Sequence, residues 1–152
     1  MEGKTLTYEQ TKEKALKLLE FRSHSEFELK QKLEKSGGTQ IEEVLKFCRE
    51  YNFVDDASYA KRYAKDLQSL KKYGIRRIKE ELREKGIEAS LIEDALFELE
   101  KDEMPALLPQ VEKKLSQNFE KKNIHKTFRY FLYRGYSISD INKCIDTLRN
   151  GE

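Results

Sequence analysis

Tryptophan is absent, and 152 residues hold only two prolines, seven glycines, two cysteines and two histidines. So little Gly and Pro argues against long loops and against strand-rich folds, which need frequent turn residues. Cys48 and Cys144 stand on helical apolar faces, where they read as small core hydrophobes of a reducing cytosol, and no CxxC or Cys/His spacing suggests a metal. His24 and His125 have no second ligand at i+4 and no Ser or Cys nucleophile beside them, so neither is read as catalytic. Neither a Walker-type Gly-Lys-Ser/Thr nor a GxGxxG is present, and no cofactor is expected. No apolar run approaches the roughly 18 residues of a membrane span. Met1–Ser25 alternates charges without the apolar core of a secretion signal. The expectation is a soluble, cytoplasmic protein without membrane contact and without enzymatic chemistry.

Excess charge of one sign is also missing: 30 Lys plus Arg face 28 Asp plus Glu. The charged fraction is nevertheless 38%, well above the usual quarter, so each helix should be narrowly amphipathic. The charges are segregated along the chain. Residues 61–85 carry ten basic and four acidic side chains, 88–103 one and seven, and 112–134 seven and two. A fold that gathers the basic segments could hold a polyanion or an acidic protein surface.

What is present is a repeat. Gly37, Gly86 and Gly135 stand 49 residues apart, and the same offset pairs Leu33 with Leu82 and Phe131, Phe21 with Leu70 and Phe119, and Ile92 with Ile141. A period of this size marks stacked supersecondary units, which most often serve as partner surfaces. Unit one reads as a helix over about Tyr8–Glu20 and a second opened by the capping box Ser25-x-x-Glu28, with Phe27, Leu29 and Leu33 inside. A third is opened by Thr39-x-x-Glu42, with Ile41, Val44, Leu45 and Cys48 on its face. Unit two presents Ala60, Ala64 and Leu67, then Ile75, Ile78 and Leu82 after Gly74, then Ile92, Ala95 and Leu99. Unit three presents Leu107, Val111, Leu115 and Phe119, then Phe128, Phe131 and Leu132, then Ile138, Ile141, Ile145 and Leu148. The fold expected is all-α: three tandem three-helix repeats, 1–55, 56–103 and 104–152, in an elongated, curved array.

Asp55 and Asp56 precede an apolar-periodic helix, where carboxylates cap free N–H groups. The binding candidates are basic. Lys71, Lys72, Arg76 and Arg77 bridge two helices of unit two, and Arg76, Lys79 and Arg83 form one stripe at i, i+3 and i+7. Arg76 and Arg77 are both expected to point away from the apolar face. In unit three Lys121, Lys122, Lys126, Arg129 and Arg134 interleave with Tyr130, Tyr133 and Tyr136, which are read as exposed contacts able to stack on bases between phosphate-binding cations.

Four segments follow one another along the chain: Arg22-Ser23-His24-Ser25-x-x-Glu28-Leu29-x-x-Lys32-Leu33, Val54-Asp55-Asp56-x-x-Tyr59-Ala60-x-x-Tyr63, Lys72-Tyr73-Gly74-x-x-Arg77-Ile78-x-x-Glu81-Leu82-x-x-Lys85-Gly86-Ile87 and Phe131-Leu132-x-Arg134-Gly135-Tyr136-Ser137. In these segments the chain resembles the RecX family, the bacterial regulators of the RecA recombinase. The resemblance implies a non-enzymatic modulator, mainly an inhibitor, in DNA repair and the SOS response. Such a protein binds the RecA–DNA filament across neighbouring protomers, with single- and double-stranded DNA as further partners, and is expected to be a monomer. The alternative from the residues alone is a helix-turn-helix-like protein that binds DNA without RecA. The acidic third helix of unit two (Glu93, Asp94, Glu98) weighs against it, because phosphates would repel it.

Overall fold

A computed structural model of the chain describes residues 5–151, and among these the backbone forms nine α-helices and no strand. The first four positions of the segment read for a leader, and Glu152 at the end of the third repeat, lie outside the described residues. The helices are α1 (Tyr8–Phe21), α2 (Glu26–Lys35), α3 (Ile41–Glu50), α4 (Asp56–Ser69), α5 (Ile75–Glu84), α6 (Ala89–Phe97), α7 (Met104–Leu115), α8 (Lys121–Tyr133) and α9 (Ile138–Arg149). They build two compact units, Met1–Arg62 with Leu82–Ala95, and Tyr63–Glu81 with Leu96–Glu152.

The first unit is centred on α1, α2 and α3, whose buried Ala15, Leu29, Leu33, Val44, Leu45 and Cys48 form one cluster with Val54. Two reciprocal capping boxes start its helices: Thr7 with Gln10 for α1, and Ser25 with Glu28 for α2. Gly37 (φ 80°) ends α2. The expected box at Thr39 does not form. Gln40 occupies the N-cap position of α3 in left-handed geometry, and Thr39 faces α1 and its lead-in instead. Its N–H donates to Thr11 Oγ1 at 3.0 Å and its hydroxyl to Leu6 O at 2.8 Å. The capping side chain was drawn away by a tertiary partner. Asp55 caps α4 as expected, accepting from Ser58 N–H at 3.1 Å, whereas Asp56 caps a different helix: its Oδ1 accepts from Glu26 N–H of α2 at 2.9 Å.

The second unit packs α7, α8 and α9 around Leu107, Val111, Leu115, Phe131, Tyr136, Ile141, Cys144 and Ile145. Helix α7 stops at Leu115, because Ser116 and Gln117 take φ of 51° and 61°; Phe119 therefore reaches the core from a loop and not from the continued helix. Ile138, read as a core position, is exposed in the first turn of α9, and Leu132 lies at the surface of α8. Phe27 likewise is partly exposed, since it lies over a glycine and not inside the cluster.

One junction is made twice, once in each unit and 49 residues apart. In the first unit the Ser25 hydroxyl at the head of α2 donates to Lys85 O just past α5, at 2.7 Å. Gly86 beside it (φ 72°) leaves the space where a Cβ would fall 2.4 Å from Phe27 Cβ. In the second unit Gly74 at the head of α5 donates its N–H to Arg134 O just past α8, at 2.8 Å. Gly135 (φ 102°) meets Arg77 in the way Gly86 meets Phe27, with a Cβ falling 2.4 Å from Arg77 N. The next N–H along is capped by a carboxylate from further down the chain in both cases: Glu26 by Asp56, and Ile75 by Glu103 Oε2 at 2.9 Å. Burial pushes both of those carboxyls up from their ordinary values.

Ser25→Ala removes the cap on Glu28 N–H and the bond to Lys85 O together. We expect a loss of about 1–2 kcal/mol, read as a lower urea midpoint at unchanged slope.

Candidate functional site

The basic candidates of the second unit are assembled by the Gly74–Gly135 junction. Lys72 adopts φ 58° and turns the chain between α4 and α5. Its carbonyl accepts from Tyr136 Oη at 2.7 Å, and the Lys71 carbonyl accepts from Arg134 Nη2. These bonds use the backbone and leave the Lys71 and Lys72 side chains exposed. Tyr136, expected as a surface contact, is 1% exposed and belongs to the core. Its hydroxyl is the reason a tyrosine sits there, since it donates to Lys72 O and accepts from Gln110 Nε2 at 3.1 Å. Burial holds its phenol above the usual value.

Around this anchor, aromatic rings and cations alternate. The Arg77 guanidinium lies 4.7 Å from the Tyr133 ring and 4.5 Å from Tyr73. Arg134 lies 5.1 Å from Tyr73 and 5.5 Å from Tyr130, and Lys114 Nζ lies 4.3 Å from Tyr130. Each contact adds modestly at an exposed site and more where water is excluded. Arg77 is also paired with Glu81 at 3.0 Å and donates to Tyr133 O at 3.2 Å. Arg76 is exposed as expected, but Arg77 is drawn into this arrangement, because α5 turns it towards the end of α8. Its role here is to hold Tyr133, which is 75% exposed.

The remaining candidates are spread more widely. Lys121, Lys122, Lys126 and Arg129 are exposed along α8. Lys79 is half-buried and has partners of its own, as has Arg83. Arg83 belongs to the other compact unit. The structure brings together Lys71, Lys72, Arg77, Tyr130, Tyr133 and Arg134, and adds Tyr73 and Lys114, which are not among the binding candidates of the sequence.

Beside Tyr130, a groove of about 500 Å³ runs between α7 and α8, lined by Lys113, Lys114, Lys126, Gln110 and Asn123. No acidic residue lines it, and none of its three lysines is in an ion pair among the described residues. Lys114 flanks the Leu107, Val111 and Leu115 face of α7, a position readable from helical spacing, and Lys113 stands further round the helix. That they face Lys126 across a groove depends on the α7–α8 turn. Such a surface can hold phosphates or carboxylates and offer a ring face to a planar group. Among the described residues no cluster of three or more His, Cys, Asp or Glu could hold a metal ion, and no helix is long and apolar enough to cross a membrane.

Residues 12–48 match the first three-helix domain of RecX and residues 55–96 the second. A regulatory protein RecX of Vibrio parahaemolyticus is 37% identical over 136 residues, covering 87% of each chain. One of Cronobacter sakazakii is 34% identical over 150 residues, covering 88% of this chain and 89% of that one. The crystal structure of RecX from Lactobacillus salivarius superposes with a TM-score of 0.77 at 23% identity, over 93% of this chain and 96% of the other.

Proposed function

This chain belongs to the RecX family, and we propose that it is a non-enzymatic modulator, mainly an inhibitor, of the RecA recombinase that binds the RecA–DNA filament across neighbouring protomers. The observation that carries the reading is the match to regulatory proteins over most of the chain, joined to an exposed basic–aromatic surface on the second unit. In this reading the three repeats act as a cytoplasmic monomer, and DNA is a second partner of the same surface.

Several weak patches on one chain, each engaging a different protomer, gain affinity through effective concentration. Such bridging favours whichever filament state sets the patches at the right spacing. Steps that need protomers to move relative to one another then slow. Arg76, Lys71 and Lys72 supply charge free to meet a partner, and Tyr133 supplies a ring held in place by Arg77.

The test is RecA's single-strand-dependent ATPase with this protein titrated in at fixed salt and excess DNA. Inhibition is expected well below the concentration that coats the DNA. Arg76→Glu combined with Tyr133→Ala should weaken it at least tenfold, an effect of about 1.4 kcal/mol or more, with the melting temperature unchanged. Inhibition only where the protein outcompetes RecA for free DNA would favour the direct DNA-binding alternative.

A further inference from the structure

We propose that the groove between α7 and α8 is a single-strand nucleotide subsite that selects adenine and cytosine, which carry an amino group at N6 or N4, over thymine, which carries a carbonyl oxygen there. Its three lysines would accept any polyanion; the two amides narrow the choice. Gln110 Nε2 donates to Ala106 O at 2.9 Å and to the Tyr136 hydroxyl at 3.1 Å. That hydroxyl gives its own hydrogen to Lys72 O, so it can only accept from Gln110, and the amide orientation is determined. Asn123 Nδ2 donates to Leu115 O at 3.0 Å and to Asn118 O at 2.7 Å, and both are carbonyls that only accept.

Both amides therefore turn their N–H groups onto the protein, and their carbonyl oxygens are the ends left for a ligand. A carboxylate or phosphate would be repelled by those oxygens, whereas an amino group would be accepted. Adenine N6 and cytosine N4 are donors, while thymine places its O4 acceptor at the corresponding point. A nucleotide satisfies both halves of the groove, with phosphate on the lysines and amino group on the amides. An acidic peptide satisfies only the first. The Tyr130 ring beside the lysines adds a face for stacking. In a duplex one hydrogen of each amino group is paired and the base faces are stacked on one another, so stacking on Tyr130 fits a single strand.

This inference does not rest on the regulatory reading, and its test contains no RecA. Fluorescein-labelled oligo(dC) and oligo(dT) of equal length are titrated with the full chain and followed by anisotropy over a range of salt. Oligo(dC) should bind roughly three- to tenfold more tightly, as expected for one or two net hydrogen bonds. The preference should vanish for oligo(dC) built from N4,N4-dimethylcytosine, which removes the donors without altering the protein. Lys113→Gln, Lys114→Gln and Lys126→Gln together should weaken both oligonucleotides alike and lower the salt slope by about 2. Equal binding of dC and dT, a preference that survives dimethylation, or lysine variants that bind as the parent does would overturn the proposal. Displacement of the oligonucleotide by polyglutamate at lower concentration than by unlabelled oligo(dC) would assign the groove to an acidic protein segment instead.

Discussion

Gly74→Ala is expected to cost about 3 kcal/mol or more, at the upper end of overpacking changes. An added Cβ would stand 2.4 Å from Gly135 O, 2.5 Å from Gly135 C and 2.8 Å from Tyr136 N. All three are backbone atoms, so no side chain can swing aside. Relief would require α5 and the end of α8 to separate, breaking the Gly74 N–H bond to Arg134 O and the Tyr136 bond to Lys72 O. The thermal midpoint, followed by circular dichroism, should fall by about 10 °C on the usual conversion for a chain of this size. Gly74→Ser is a sharper comparison, because the matching position of the first unit is Ser25, which is tolerated there. If the second junction had the same room as the first, Ser would be neutral. The backbone contacts predict that it is as damaging as Ala. A wild-type midpoint in either variant would contradict the close approach.

Glu28→Gln is expected to remove about 3 kcal/mol at neutral pH and to change the acid limb of the stability curve. The Glu28 side chain is only 12% exposed and binds Arg22 Nη2 at 2.9 Å and Lys85 Nζ at 3.3 Å. It also accepts from Ser25 N–H and the Tyr59 hydroxyl, each at 3.3 Å. Burial alone would raise its carboxyl. The hydrogen bond from Arg22, the Ser25 backbone N–H and the nearby Lys85 and Arg22 charges outweigh burial and bring it to about 2, against an ordinary 4.5. A carboxyl depressed in the folded state stabilises fully above its unfolded value and loses that contribution as pH falls from about 4.5 towards 2. Urea unfolding at pH 7 and pH 3 should therefore show the parent losing more stability on acidification than Glu28→Gln. Parallel losses in the two proteins would place the acid sensitivity elsewhere. His24 cannot replace this contribution. Its Nδ1 faces Arg22 O and its Nε2 faces Lys32 Nζ, each at 2.9 Å, and burial lowers its pKa.

The all-helical fold was legible because its signals are local. Apolar spacing marked Val44, Leu45 and Cys48 in α3 and Ile141 and Ile145 in α9, and caps such as Ser25–Glu28 need only residues within one turn. The family was legible for a related reason. Its motifs hold the helix starts and glycine ends that the fold requires, and they recur in order along the chain.

The site was legible only in composition. Lys71, Lys72, Tyr130, Tyr133 and Arg134 could be named as basic and aromatic residues, but nothing local distinguishes Tyr136 from Tyr133. One is a buried anchor and the other an exposed ring, because Lys72 O and Gln110 happen to converge on the first. Asp56 and Thr39 show the same limit, since each looked like a cap for its own helix and serves a segment distant in sequence.

Period, helical pattern and charge distribution are properties of neighbours along the chain, set by rotation per residue and by capping within a turn, so the order of residues alone determines them. Which glycines touch, which cations are held by rings and which amides turn inward depend on pairs that lie in different elements, such as Gly74 with Gly135 and Asn123 with Leu115. Those pairs meet only when loop geometry sets the crossing of two helices, and the helical period carries no information about that crossing.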